Sequence, residues 1–573
     1  MSICPKNMEH TMRANADTAK LKIGLIVDTP VVSRYVYELA QWANTQPDLA
    51  ITHLIIQQLP PRTGTKLYRA IAHIRARGIW HLLASQSFSL IQRIEAVKLK
   101  RIASCRQHFE TADLRPLVPK ALEVAVERSP SGFVYRYSAA DIAHIKALGL
   151  DVLIRAGSGI LRGDILRATP FGILSFHHGD NRFYRGSPAG FWEVFSRDDS
   201  TGFTLQQLTD ELDGGNVLMR GHFVTKFFYL YNQAELYRKS NGFMMALLAK
   251  LAITRHLPPV LPSVPYAQPL YTQPGLWVQA RYFAYLLSTG FWNLIEQRLL
   301  QRKDRWGVAY AKGNWRTLVM WRAQRIPNPP DRFLADPFVV THAHQDFCFV
   351  EDYDARKSKG VISVYRIDTH GPVYVGEALS EPFHLSFPYI FTFNGQYYLC
   401  PETSENRDIR IYECVEFPLK WTLVKTSMTN ISAADTMIFE HASRWWMLTN
   451  TDTHHVGDHC NELSIFYADH PLTDTWTPHA RNPVILDARC ARNAGLLTEN
   501  DALFRVSQRQ GFSSYGKASA IQRIVTLTPD AYVEETISTH EPAFFSRISG
   551  THHMHSNGRY CVFDVVEKVR YTR

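Results

Sequence analysis

The sequence predicts a multidomain chain, an α/β doubly wound domain followed by an all-β propeller of five blades, and three observations predict it. With 573 residues, the chain is too long for one core, because single hydrophobic cores stop growing near ~250–300 residues. Its first part alternates short apolar runs with helically spaced segments, the order of parallel βα units. From about Trp306 a strand, a short turn and a second strand rich in aromatics recur as a unit. The composition, 45% hydrophobic and 20% charged, is that of an ordinary globular protein and excludes disordered and collagen-like classes.

Residues 1–19 form a polar tail with no apolar segment of the signal-peptide kind. Eight cysteines without C-x-x-C spacing argue against a disulfide framework and a zinc site, so a cytoplasmic protein is expected. KLKIGLIVD (20–28) reads as a strand, SRYVYELAQWANTQ as a helix and ITHLIIQQL as a second strand, the opening of a right-handed crossover unit. The pattern resumes with ALEVAV, a helix over AADIAHIKALG, DVLIRAG, a short helix over RGDILRAT, and GILSFHH. This domain is placed at 20–225, with a basic helical insertion near 62–115. Much of the net charge of +10 lies in that insertion, which reads as a solvated helix face or as a membrane-surface contact. No zinc-finger, helix-turn-helix or RNA-binding signature points to nucleic acid.

A helical region and a Pro-rich linker follow at 226–305. Within it, LWVQARYFAYLLSTGFWNLI (276–295) carries Arg281 and several polar residues, which a bilayer-spanning helix would penalise. It reads as a buried or interfacial helix, and no transmembrane helix is expected. The propeller is placed at 306–573. DPFVVTHAHQDFCFVED, PYIFTFNGQYYLCPET, DTMIFEHASRWWMLTNT, AGLLTENDALFRVSQ and THHMHSNGRYCVFDVV are its five units, recurring at around fifty residues, a period that marks propellers and solenoids.

In open parallel sheets, ligands sit beyond the carboxyl ends of the strands, where LSFHHGDNRFYRGSPAGFWEVF (174–195) places two histidines and an Asp-Asn pair. Ser175-Phe176-His177, Tyr184-Arg185-Gly186, Thr201-Gly202-Phe203-Thr204 and Leu212-Asp213-Gly214-Gly215 stand in the order and spacing of the formyltransferase family, which residues 20–224 resemble. The resemblance implies 10-formyltetrahydrofolate as donor. It implies that His177 takes the proton of the acceptor amine and that Asp213 orients and stabilises the imidazolium. Ser175 stands where the family carries an oxyanion-binding asparagine, and His178, Asp180 and Asn181 are candidate compensating donors. Gly157, Ser158, Gly159 and Ile160 are expected to line the folate pocket, with Asp180, Arg185 and Gly186 as further cofactor-binding residues. A metal site of His177, His178 and Asp180 is not expected, since adjacent strand residues point to opposite faces.

The second half resembles the five-bladed arabinanase-like propellers of glycosidases, and more closely the propeller of plant glucosamine inositolphosphorylceramide transferases. FLADPF (333–338), PET (401–403), Ala434-Asp435 and RNAG (492–495) carry the resemblance. It implies a glycosidase-type base at Asp336 and a second carboxylate at Asp435. The fourth blade offers Arg492 and Gln508 but no inner carboxylate, leaving Glu402 as substitute, so sugar binding by Asp336, Glu402, Asp435 and Arg492 is expected at least as much as hydrolysis. His552, His553 and His555 approach the same channel, but with no carboxylate near them in sequence no metal is expected. Together these readings predict formyl transfer to the amine of an amino sugar or glycolipid held by the propeller. The alternatives are a carbohydrate-binding protein with an inactive formyltransferase-like domain, and a glycosidase.

Overall fold

The computed structural model describes residues 20–59, 71, 74–75, 78–130, 132–211 and 214–570. The chain forms two compact units, Met1–Leu287 with His454–Val456, and Ser288–Thr453 with Gly457–Arg573. All seven cysteines among the described residues are free thiols.

The first unit is built on a nine-stranded sheet. Leu21–Val27 lies at its centre, parallel to Leu49–Gln58 on one side and Val152–Arg155 on the other, and Ile173–His177 continues the parallel run. An antiparallel hairpin, Ser200–Gln207 and Asn216–Val224, forms one edge. Ile23, Leu25, Ile26 and Val27 are all buried, because a parallel strand covered on both faces has to be apolar on both. Chain order reverses between Leu21–Val27 and Val152–Arg155. The crevice beyond their carboxyl ends is therefore the topological switch point, where α/β sheets bind ligands.

Three sequence expectations are corrected here. The first domain, placed at 20–225, extends further: the helix Tyr229–Thr254, expected as part of a separate helical region, buries Phe243, Met244, Leu247, Leu248 and Leu251 within the first unit. RGDILRAT forms a single 3₁₀ turn, Asp164–Arg167. The helix Leu276–Leu294 is not buried: only Gln279 and Tyr282 are covered, whereas Trp277 is 75% and Phe291 64% exposed.

The second unit is the five-bladed propeller. Four blades are meanders of consecutive antiparallel strands beginning at Arg332–His342, Ser386–Phe393, Ala433–His441 and Asn493–Glu499. The fifth joins the two ends of the unit, with Arg302–Lys312 antiparallel to Tyr560–Arg570. Each blade's innermost strand touches the next, and Met554–Ser556 of the fifth touches that of the first, so the ring closes and no inner sheet edge is left open.

Four of these inner strands carry the same irregularity. The pairing register shifts at Ala335/Phe338, Ser386/Tyr389, Ala434/Met437 and Asn493/Leu496. At the bulge φ turns positive, +47° at Asp336, +47° at Phe387, +49° at Asp435 and +125° at Gly495. A β-bulge re-aims one side chain out of the pleat, and here it does so once per blade. At Gly495 an added Cβ would lie 2.2 Å from the Met554 carbonyl oxygen of the neighbouring inner strand. Gly495→Ala is expected to destabilise the propeller by about 2–3 kcal/mol through clash and backbone strain, lowering its thermal midpoint by about 5–10 °C; calorimetry of the full chain checks this.

Candidate functional site

Four polar side chains meet at the switch point of the first unit. Asp28, which ends the central strand, accepts hydrogen bonds from the Ser158 amide (3.0 Å) and from Gln57 Nε2 (2.8 Å). Gln57 also donates to the Ser158 carbonyl (3.2 Å) and accepts from the Tyr137 hydroxyl (3.0 Å). Arg155 pairs with Ser175 across the parallel strands. Its guanidinium donates to the Gly159 carbonyl and stands 3.5 Å from the Ser175 hydroxyl. Glycines make this packing possible: a Cβ on Gly157 would lie 2.5 Å from Gln57 Nε2, and one on Gly159 2.2 Å from the Tyr135 ring. Gly157 and Gly159 thus present backbone rather than side chains, the Ser158 hydroxyl stands 3.4 Å from that of Tyr135, and Ile160 enters a short strand beside Val134.

His177 ends its strand with Nε2 2.8 Å from the Tyr184 carbonyl. A carbonyl only accepts, so in the neutral ring the proton sits on Nε2 and the basic lone pair on Nδ1. His178 turns to the other face, stacked against Tyr237 at 3.8 Å and Phe176 at 5.2 Å between ring centroids. Desolvation there pushes its pKa down to about 3, which keeps it neutral. Asp180 is buried beneath a cationic cluster, 2.6 Å from Arg182, 2.9 Å from His222 and 3.3 Å from Arg220. Burial opposes its ionisation, but the hydrogen bonds from His222 and Arg182 outweigh it and hold the carboxyl well below the usual range. Asn181 Oδ1 accepts from Arg220.

The three expected compensating donors are therefore engaged elsewhere, and the donor that the fold brings nearest Ser175 is Arg155. Arg185 donates to the Asn181 carbonyl (2.8 Å) and covers the Tyr266 ring at 4.4 Å. Gly186 lies so close to Tyr271 that a Cβ would come 2.0 Å from its carbonyl oxygen. This Arg-Gly pair fastens the loop to the strand Leu270–Tyr271. Asp213 lies outside the described residues.

The propeller's centre collects the residues singled out there. Arg492 Nε is 2.6 Å from Asp435, and Arg492 Nη2 is 3.6 Å from Glu402, so one guanidinium spans two carboxylates. Gln508 Nε2 donates to Asp435 as well (3.2 Å). Asp336 has no guanidinium. It faces His552 at 3.4 Å and His553 at 3.7 Å, and His552 Nδ1 stands 2.7 Å from Asp564. Asp564 also receives the backbone N–H groups of His552 and His553, at 2.9 and 3.0 Å. His555 Nδ1 accepts from the Val339 amide (3.3 Å). Asp336, His552 and Asp564 offer ligand atoms all within 4.8 Å of one another, a spacing that suits a metal ion as well as an acid–imidazole pair. Folding thus supplies the carboxylates that the sequence near the histidines lacks.

Burial pushes the Asp336 carboxyl up to about 7, against the nearby His552 and reinforced by the charge of Asp435. It pushes Asp435 up to about 6, with Arg492 opposing. Glu351, buried and facing Asp336 and Glu402, is raised as well by desolvation and those charges. Sequence reading missed Asp28, Gln57 and Arg155 in the first unit and Glu351 and Asp564 in the second. For Asp28 the available signal was a carboxylate just after an apolar strand, LKIGLIVD, and for Glu351 and Asp564 a carboxylate inside one, FCFVED and CVFDVV; Gln57 and Arg155 left no such signal of their role.

Comparison with known proteins finds partial matches. The family model described as glucosamine inositolphosphorylceramide transferase 1, N-terminal, matches residues 318–559, within the propeller. Glucosamine inositolphosphorylceramide transferase 1 of Arabidopsis thaliana is 33% identical over 210 residues, covering 36% of this chain and 27% of the plant protein. The protein of that name from Oryza sativa subsp. japonica is 30% identical over 214 residues, covering 36% and 28%. The chain thus spans little more than a quarter of the length of these relatives. A methionyl-tRNA formyltransferase of Anaeromyxobacter dehalogenans is 35% identical over 79 residues, 14% of this chain and 25% of that protein. Among solved structures, a family 117 glycoside hydrolase from Zobellia galactanivorans matches 46% of this chain and 90% of its own at 10% identity and a TM-score of 0.31. The catalytic domain of a GH62 α-L-arabinofuranosidase from Coprinopsis cinerea matches 46% and 97% at 12% identity and a TM-score of 0.32.

A raised Asp336 carboxyl and a turn-capping one make opposite forecasts for stability against pH. The folded pKa of Asp336, about 7, lies above the unfolded value of about 3.9. Between those pH values the folded state holds a proton that the unfolded state has lost, so stability falls as pH rises from about 4 to about 7. Asp336→Asn removes that dependence, and asparagine tolerates the positive φ. The variant's thermal midpoint is expected to exceed the wild type's at pH 8, with the gap closing towards pH 4. A carboxylate that capped a turn would give the opposite sign.

Proposed function

We propose that this chain is a formyltransferase acting on the amine of an amino sugar or glycolipid head group, with the propeller holding the saccharide. The carrying observation is that the carboxyl ends of neighbouring parallel strands carry Arg155 with its glycine-flanked loop and, on the adjacent strand, His177, a histidine of fixed tautomer. The part-length matches to a methionyl-tRNA formyltransferase and to transferases whose name contains an amino sugar and a ceramide lipid support the reading.

The residues at the switch point fit 10-formyltetrahydrofolate. Gly157 and Gly159 keep their loop bare, so that the Asp28 carboxylate and the loop's carbonyls form a hydrogen-bonding edge suited to a flat heterocycle. Bound there, the donor supplies the formyl carbon, whose bond to nitrogen is exchanged for a bond to the acceptor amine. His177 accepts the proton that the amine sheds, through Nδ1, and the Tyr184 carbonyl holds the ring for that role. Asp213 is assigned the stabilisation of the resulting imidazolium. Arg155 takes the part of the missing asparagine: it lies beside Ser175 and offers a cation where negative charge develops on the formyl oxygen, an interaction stronger in the transition state than in the ground state. In the propeller, Arg492, Asp435 and Glu402 offer a fixed donor between two acceptors, the pattern that vicinal sugar hydroxyls satisfy.

Purified protein supplied with 10-formyltetrahydrofolate and a panel of amino sugars and amino-sugar lipids tests this, read as tetrahydrofolate released and N-formyl product formed. His177→Ala is expected to abolish transfer, and Arg155→Lys, which keeps the charge but loses the planar fork, to lower kcat by about 10²-fold. Ser175→Asn is expected to leave kcat unchanged or lower it; a large gain would mean that Arg155 does not fill the asparagine's place. Arg492→Ala is expected to raise the acceptor KM and spare that of the donor. Release of free sugar, lost in Asp336→Asn, would instead favour the glycosidase reading.

A further inference from the structure

We propose that the first unit docks on anionic lipid bilayers through the outward faces of two helices, Ile79–Lys98 and Leu276–Leu294. This goes beyond the reading of either polar site and stands independently of it.

The helix Ile79–Lys98 carries two apolar stripes. Ala84, Phe88 and Ile91 face the core. Leu83, Leu90, Ile94 and Val97 recur at helical spacing about a third of a turn away and face solvent, as does Trp80, 71% exposed. A helix buried on one side should be polar on the other; this one is not. Leu276–Leu294 shows the same inversion. What it buries is Gln279 and Tyr282, and what it exposes includes Leu276, Trp277, Phe283 and Leu287.

Polar pins hold the two helices together. Gln279 donates to the Ala84 carbonyl (2.8 Å) and accepts from Ser87 (2.6 Å), and the Tyr282 hydroxyl donates to the buried Glu95. Folding thus consumes the hydrogen bonds of this pair and leaves much of its apolar surface facing water. Exposed apolar patches of this kind mark interaction surfaces.

Charge selects the occupant. Between Arg62 and Arg115 the sequence has eleven Lys and Arg against three Asp and Glu, a surplus of eight in a chain whose net charge is +10. One of the three acids, Glu95, is buried, whereas Arg93, Lys98, Lys100, Arg101 and Arg106 are exposed. A second copy of this chain would bring basic rim against basic rim. An anionic bilayer satisfies both features, apolar side chains entering the head-group boundary and cations meeting lipid phosphates, and tryptophan is the residue that such boundaries favour. Among the described residues no helix is long and apolar enough to cross a membrane, so the contact is one of lying on the surface.

Flotation of the full chain with vesicles of neutral phosphatidylcholine, or with about one-third phosphatidylglycerol, tests the proposal. Binding to the anionic vesicles is expected to exceed that to neutral ones at least tenfold and to weaken with salt. The double variant Trp80→Ser/Trp277→Ser, both surface positions, is expected to keep the wild-type thermal midpoint and lose vesicle binding at least tenfold. Lys100→Glu/Arg101→Glu is expected to erase the preference for anionic lipid while leaving the apolar face intact. Failure to float with anionic vesicles, or unchanged binding by the tryptophan variant, overturns the proposal. A dimer that the tryptophan variant dissociates, with no vesicle binding, would assign the face to a second copy.

Discussion

Burying a carboxylate costs several kcal/mol unless cations or donors meet it, and the degree to which each buried acid is met sorts this protein's polar residues into builders and actors. Asp180 stands within ion-pair distance of two guanidiniums and an imidazole; with its charge so fully answered it fixes the loop after His177. Asp435 has one guanidinium, shared with Glu402. Asp336 faces imidazole rings, and its neutral form gains at ordinary pH. Structural acids are over-supplied with cations and poised ones under-supplied. The same constraint explains Asp28, which is met by an amide side chain and a backbone N–H rather than by a cation and so retains lone pairs with which to address a ligand.

Backbone strain does the corresponding work in the propeller. A positive φ at a residue other than glycine is unfavourable, and it persists only where the surroundings enforce it. Asp336 and Asp435 sit in that region at equivalent bulges of the first and third blades. Phe387 occupies the position in the second blade and packs against Phe338 and His553, while in the fourth it falls to Ala494, the positive φ coming one residue later at Gly495. One repeated backbone device thus delivers acid, aromatic, acid and a methyl group to successive sectors of the centre, which makes a symmetrical scaffold chemically lopsided. Such asymmetry is what a binding site needs and what ring packing alone would not produce.

Much of this was legible in the sequence, for identifiable reasons. Continuous apolar runs such as KLKIGLIVD can only be strands covered on both faces, and the aromatic hairpin period exposes a ring of blades. His177 stands out because it ends an apolar strand in groups that bury poorly, whereas Asp336 and Asp435 are singled out through the resemblance to glycosidase propellers. Arg155 does not stand out, because its role follows from parallel register with Ser175, twenty residues away, and register leaves no local mark. Asp564 meets Asp336 across 228 positions only because the ring closes on its own first blade. For the helix Leu276–Leu294 the sequence left buried and interfacial open, because hydropathy measures how apolar a segment is, not which side the fold covers, and here the covered side is the polar one.

The composition of the propeller's centre bears on which part of a ligand it can hold. Asp336, Glu351, Glu402, Asp435 and Asp564 face one another there, met among the described residues by the guanidinium of Arg492 and the imidazoles of His552, His553 and His384. The carboxyls of Asp336, Glu351 and Asp435 are raised first by burial, and the charge of neighbouring carboxylates adds to it. A phosphate brought into such a centre would add repulsion to desolvation, whereas neutral hydroxyls offer donors to carboxylates already stripped of water, and a cation would relieve the repulsion outright. The centre is therefore suited to the hydroxyl-bearing or cationic end of a saccharide and unsuited to a phosphodiester.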